Sequence, residues 1–167
     1  ASVLAATLDL HGVDVAYCVP GESYLPLTDA FIDFPNMQLV VCRHEGSAGF
    51  MAVAHARLRN EPGVCIISRG PGAMNTAIAL HVAYHDAEPV VFLIGQAERD
   101  ELGRGALQEM NYSKTFSDTA KMVIEEKAPD SMALLAPPPK PILRILDHSF
   151  HPPFKNILFD PRILNLM

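Results

Sequence analysis

The sequence has no apolar run near the ~18 residues that a membrane-spanning helix requires. Its amino end also lacks the succession of charged, apolar and small residues that marks a signal peptide. No cluster of lysines and arginines is present, and the net charge is −6. Nucleic-acid and membrane partners are therefore not expected, because a phosphate backbone calls for a basic patch or stripe. Disulfides are not expected either. The three cysteines, Cys18, Cys42 and Cys65, are odd in number, show no C-x-x-C spacing and each fall in the core of a predicted strand. Such thiols act as small buried hydrophobes and suit a reducing, cytoplasmic setting. No metal site is expected. His81 and His85 stand at i, i+4 and could reach one ion from one helix face, but no acid lies between them and no third ligand is evident.

What is present is the composition of a globular α/β chain. Its 167 residues, 49% hydrophobic and 19% charged, fit one domain able to bury a full core. Strand-like runs fall at 13–19, 38–42, 63–68, 89–94, 120–124 and 156–159, and helix patterns at 2–11, 24–33, 46–59, 72–86 and roughly 130–149. Strands alternating with helices imply parallel pairing through right-handed crossovers, so a doubly wound, mostly parallel six-stranded sheet is predicted. The all-apolar run Val64-Cys65-Ile66-Ile67 suits a sheet covered on both faces. Residues 95–119 interrupt the rhythm with charges and glycines, the mark of a functional or interface segment. Prolines 137–139, 141, 152 and 153 break up the last helix pattern.

One carboxylate stands out. Arg43-His44-Glu45-Gly46 follows the apolar run 38–42 and opens a small-residue helix, which puts Glu45 at the carboxyl end of a strand. Open α/β sheets hold their ligands there, and a helix start also favours an acid, so Glu45 is either a catalytic group or a dipole-capping one. The small or apolar neighbours Ala48, Gly49 and Met51 predict a poorly solvated carboxyl. Gly70-Pro71-Gly72 invites a phosphate-loop reading, but Asn75 stands where a third glycine belongs and no Lys-Ser/Thr pair follows. Gly70 instead permits a sharp exit from the strand, and Pro71 suits the first helical position. Pro20-Gly21 allows a tight turn after the first strand, beyond which Glu22 and Ser23 read either as turn and cap residues or as part of a site.

Taken together and in order, Val19-Pro20-Gly21-Glu22-Ser23, Arg43-His44-Glu45, Ser68-Arg69-Gly70-Pro71-Gly72-Ala73-Met74-Asn75, Ile94-Gly95-Gln96 and Ala106-Leu107-Gln108-Glu109 resemble the pyrimidine-binding domain of thiamine diphosphate-dependent enzymes of the acetolactate synthase type. The resemblance is strong over residues 2–126 and weak over 137–167, where the usual Gly-Arg-Pro-Gly-Pro turn is replaced. It implies that Glu45 is the catalytic glutamate that binds ring nitrogen N1′ of the aminopyrimidine and promotes loss of the thiazolium C2 proton. It implies that Gly21, Pro71 and Asn75 flank the cofactor, and that Gln108, Leu107 and Ser23 lie toward a 2-keto acid substrate. Leu107 replaces the family's phenylalanine, which leaves the substrate pocket open to question.

The resemblance also implies a magnesium ion carried with the diphosphate by a second domain bearing a Gly-Asp-Gly motif, and no such motif occurs in this sequence. The expectation is accordingly a fragment supplying half of an active site, inactive alone, and assembling as a homodimer or higher homo-oligomer. The alternatives are the small subunit of a split decarboxylase, or a non-catalytic dimerisation domain of the same fold.

Overall fold

A computed structural model describes residues 1–124. Four strands, β1 (Val15–Cys18), β2 (Gln38–Val41), β3 (Gly63–Ile67) and β4 (Val90–Ile94), form one sheet in the order β2-β1-β3-β4. Every pairing is parallel: Ala16 stands opposite Leu39 on one side and Val64 on the other, and Cys65 opposite Phe92. Helices α1 (Ser2–Leu10), α2 (Leu25–Ala30), α3 (Glu45–Arg59) and α4 (Pro71–His85) alternate with the strands, and a short α5 (Tyr112–Thr115) follows β4.

Period-two alternation along β3 divides the core between the two faces of the sheet. Val64 and Ile66 pack with Ala5 and Leu8 of α1 and Leu27 and Ala30 of α2. Cys65 and Ile67 pack with Ala48 and Ala52 of α3. All five residues of β3 are buried, as the apolar run predicts for a central strand covered on both sides. The small residues of α3 are used within the chain. Gly49 lies so near α4 that an added Cβ would come within 2.6 Å of the Ala79 methyl.

Two expectations change. Residues 120–124 form no strand: Ala120 and Val123 pack against Ala73, Tyr112 and Phe116 instead. Ala120 and Val123 are partly buried there, whereas Met122 and Ile124 are exposed, so the run reflects partial packing and not backbone pairing. Cys18 and Cys65 are buried thiols, but Cys42 lies just past β2 and is half-buried. The predicted strand 156–159, the helix pattern 130–149 and the remaining tail lie outside the described residues. No helix among the described residues is long and apolar enough to cross a membrane.

Candidate functional site

Because all four strands run the same way, their exits meet at one edge of the sheet. The chain leaves β1 toward β2 and returns past β1 to β3, so the topological switch point lies between β1 and β3. Ligands of open α/β sheets bind outside that edge.

At the exit of β2, the backbone cap of α3 is supplied by the residue before Glu45. His44 is extended (φ −151°, ψ 136°), and its Nδ1 accepts the Gly46 N–H at 3.1 Å, which caps α3. Glu45 stands in the first turn of α3, where the helix dipole favours its charge, but its side chain is not the one that caps the backbone. Its Oε2 accepts from Asn75 Nδ2 at 2.9 Å, and Oε1 lies toward Gly72, where an added Cβ would stand 3.4 Å away. Glu45 is half-buried. Ala48 and Gly49 are buried beneath it, but Met51 is 40% exposed, so the apolar wall expected on that side is not supplied by this residue.

The exit of β3 depends on one glycine. Gly70 has φ +56° and ψ −108°, and a Cβ there would meet Gln108 Cβ and the Gln108 carbonyl oxygen at 2.8 Å. A side chain would be strained by conformation and blocked by backbone at once. Pro71 follows as the first residue of α4, where its missing N–H costs nothing. Tyr112, 5% exposed, bridges two exits: its hydroxyl accepts from Gly70 N at 3.2 Å and donates to Gly95 O at 2.8 Å.

At the switch point, Gly21 packs on Ser68 with 2.5 Å between an added Cβ and Ser68 Cβ. Ser23 Oγ lies 3.0 Å from Ser68 Oγ and accepts from Arg69 N at 3.2 Å. Arg69 Nη2 donates to Glu22 Oε1 at 2.7 Å. The Tyr24 hydroxyl donates to the carbonyl of Val19 and anchors the turn.

Residues 95–119 are ordered largely by their own polar groups. Glu109 accepts from Gly103 N at 2.6 Å and Ala106 N at 3.1 Å, and these bonds, the Gly103 one foremost, hold its carboxyl below the usual range. Gln96 Nε2 donates to Met110 O at 2.7 Å. This folding carries Gln108, in the left-handed region at φ +60°, onto the β3–α4 turn, while Leu107 turns 71% exposed to solvent.

The structure therefore brings Glu45 and Asn75 together beside Gly72, which also borders Ser68, the residue that Gly21 and Ser23 meet; Pro71 opens the helix that carries Gly72 and Asn75. Gln108 joins by its backbone at Gly70, and Leu107 stands apart. Sequence reasoning assigned no role to Arg69 or Tyr112. The signal for Arg69 was a charge directly after a wholly apolar strand; for Tyr112, an aromatic ring with a polar tip in a charged segment. His81 and His85 lie against each other with ring centroids 4.4 Å apart, and no group of three or more potential metal ligands occurs among the described residues.

Residues 1–115 match the family model described as the thiamine pyrophosphate enzyme N-terminal TPP binding domain. The chain belongs to that family. It is 33% identical over 132 residues to the probable acetolactate synthase large subunit of Methanocaldococcus jannaschii, covering 79% of this chain and 22% of the relative. It is 37% identical over 113 residues to the acetolactate synthase of Mycobacterium bovis, covering 68% and 18%. The sulfoacetaldehyde acetyltransferase of Roseovarius nubinhibens is 31% identical over 127 residues, covering 76% and 21%. The chain thus spans about a fifth of the length of these relatives. Thiamine diphosphate is the cofactor of this family, and the edge offers its aminopyrimidine half a carboxyl braced by an amide.

Proposed function

We propose that this chain is the aminopyrimidine-holding part of an acetolactate synthase-like enzyme that decarboxylates or carboligates 2-keto acids. The observation that carries the reading is the Glu45 carboxyl, braced by Asn75 at the carboxyl edge while His44 caps α3. When bound, thiamine diphosphate supplies the carbanion chemistry at its thiazolium. Glu45 holds and shares a proton at the pyrimidine ring nitrogen. Asn75 orients that carboxyl, and Gly21 and Pro71 border the cofactor. Gln108, Leu107 and Ser23 are the residues assigned to the substrate side.

Magnesium and the diphosphate are held by a domain outside this sequence, so the chain alone binds the cofactor weakly and does not turn over. It works as a homodimer or higher homo-oligomer. Support comes from the outer surface of α3 and α4, where Phe50, Leu58, Met74 and Ile78 are 41–84% exposed. The free thiols of Cys18, Cys42 and Cys65 are in keeping with a reducing, cytoplasmic setting.

The test is calorimetric titration of the complete protein with thiamine diphosphate and magnesium, followed by measurement of carbon dioxide released from labelled pyruvate and other 2-keto acids. Cofactor binding with keto-acid-dependent release is expected. A protein that binds the cofactor yet releases nothing from any 2-keto acid contradicts the assigned reaction.

A further inference from the structure

We propose that Arg69 is the seat for a substrate carboxylate, kept closed by Glu22 until the substrate displaces it. The proposal rests on the reading that the substrate is a 2-keto acid and names the group that would recognise its acidic end.

Arg69 leaves the sheet two residues after the buried strand β3, and its side chain is only 14% exposed. Covering a guanidinium is costly unless its donors are paired. Here Nη2 donates to Glu22 Oε1 at 2.7 Å, while Nε is buried and has no hydrogen-bond partner. It is the only buried side-chain nitrogen or oxygen in that condition among the described residues. Nε and Nη2 form one edge of the planar guanidinium, the edge that a carboxylate engages with both oxygens. Glu22 therefore fills half of a two-donor fork.

The occupant is easy to displace and the fork is not. The Glu22 side chain is 68% exposed, so swinging it into water uncovers little. Arg69 is fixed from behind: its own N–H is bonded to Ser23 Oγ, and the next N–H, of Gly70, to the Tyr112 hydroxyl. The pair also stands at the β1–β3 switch point, with Ser68 and Gly72 between it and Glu45. A carboxylate entering where Glu22 lies satisfies both donors. A neutral carbonyl compound cannot replace the charge it displaces, so the fork selects acids.

The experiment uses the complete protein with thiamine diphosphate and magnesium. Oxamate, an unreactive carboxylate of 2-keto-acid shape, and oxamide, its neutral counterpart, are titrated calorimetrically into wild type, Arg69→Gln, Arg69→Lys and Glu22→Gln. Loss of a charge-assisted pair predicts about ten- to hundredfold weaker oxamate binding in Arg69→Gln. Partial recovery is expected in Arg69→Lys, which lacks the fork. Glu22→Gln, having lost the competing charge, binds oxamate more tightly than wild type, and oxamide distinguishes none of the variants. If Arg69→Gln does not fold, the tightening in Glu22→Gln still decides.

Equal oxamate binding in wild type and Arg69→Gln, or weaker binding in Glu22→Gln, overturns the seat and makes the pair a loop brace. Absence of Arg69-dependent binding does the same. Keto-acid turnover indifferent to Arg69 removes the seat and leaves the proposed reaction standing. Arg69-dependent oxamate binding without any keto-acid turnover keeps the seat and removes that reaction.

Discussion

At the amino edge of the sheet, Arg57 donates to Asp86 at 2.5 Å and to Glu88 at 2.6 Å, and Arg59 to Asp14 at 2.8 Å, with both arginine side chains about half exposed. At the carboxyl edge, Arg69 is mostly covered, has one carboxylate on its Nη2 and leaves Nε buried without a partner. The same residue type is thus solvated and paired at one end of the strands, and desolvated and half-paired at the other. Unsatisfied polar groups cost stability and persist where something other than stability holds them. The comparison separates an amino edge whose arginines stay solvated and paired from a carboxyl edge where a covered arginine is left half-paired.

The largest expected effect sharpens the amino side. Gly63 opens β3, and an added Cβ would stand 2.0 Å from the carbonyl oxygen of Ala52 in α3. Backbone blocks it, not a movable side chain, so Gly63→Ala should destabilise the fold by about 3 kcal/mol in chemical denaturation.

The next effect comes from the core between the edges. Burial pushes the Cys65 thiol up to about 12, against 9.0 for an ordinary thiol. The unfolded chain therefore releases a proton near pH 9 that the folded chain keeps. Stability from this group is intact below pH 9 and is lost as the pH rises from 9 toward 12. Unfolding midpoints across that range should fall, and less so in Cys65→Ala measured relative to its own neutral-pH value.

Tyr112→Phe tests the carboxyl edge. It leaves the buried Gly70 N–H without its hydroxyl, and should cost about 1–3 kcal/mol while speeding hydrogen exchange at Gly70. The smallest effect is reserved for Arg57→Ala, whose exposed pairs are screened by salt. Its unfolding midpoint at physiological ionic strength should match that of the parent protein, and a large loss would break the comparison.

How much of this was legible beforehand depended on the range of the interaction. The buried strand β3, the helix opening at Glu45 and Pro71 as the first residue of α4 follow from local pattern, and each stands within a residue of its expected place. Residues 120–124 were misread because an apolar run is silent on which backbone groups pair: Ala120 and Val123 pack on the Ala73–Tyr112–Phe116 cluster while Met122 and Ile124 stay exposed. Cys42 was misplaced by the same ambiguity at a strand end. The capping role of His44 was hidden because alternation along a strand ceases where the chain turns into the helix. Arg69 and Tyr112 were illegible for a stronger reason. Their partners lie 47 and 42 residues away, and an unpartnered Nε exists only once the fold has closed around it.

The direct test of Glu45 is the exchange of the thiazolium C2 proton of bound thiamine diphosphate, followed by NMR in the complete protein and its Glu45→Gln variant. The amide keeps the size of the side chain and can still meet Asn75, but it cannot share a proton as a carboxyl does. Exchange slowed by about a hundred- to ten-thousandfold, with the unfolding midpoint unchanged, is the predicted result. Exchange at the parental rate would contradict the assignment of Glu45.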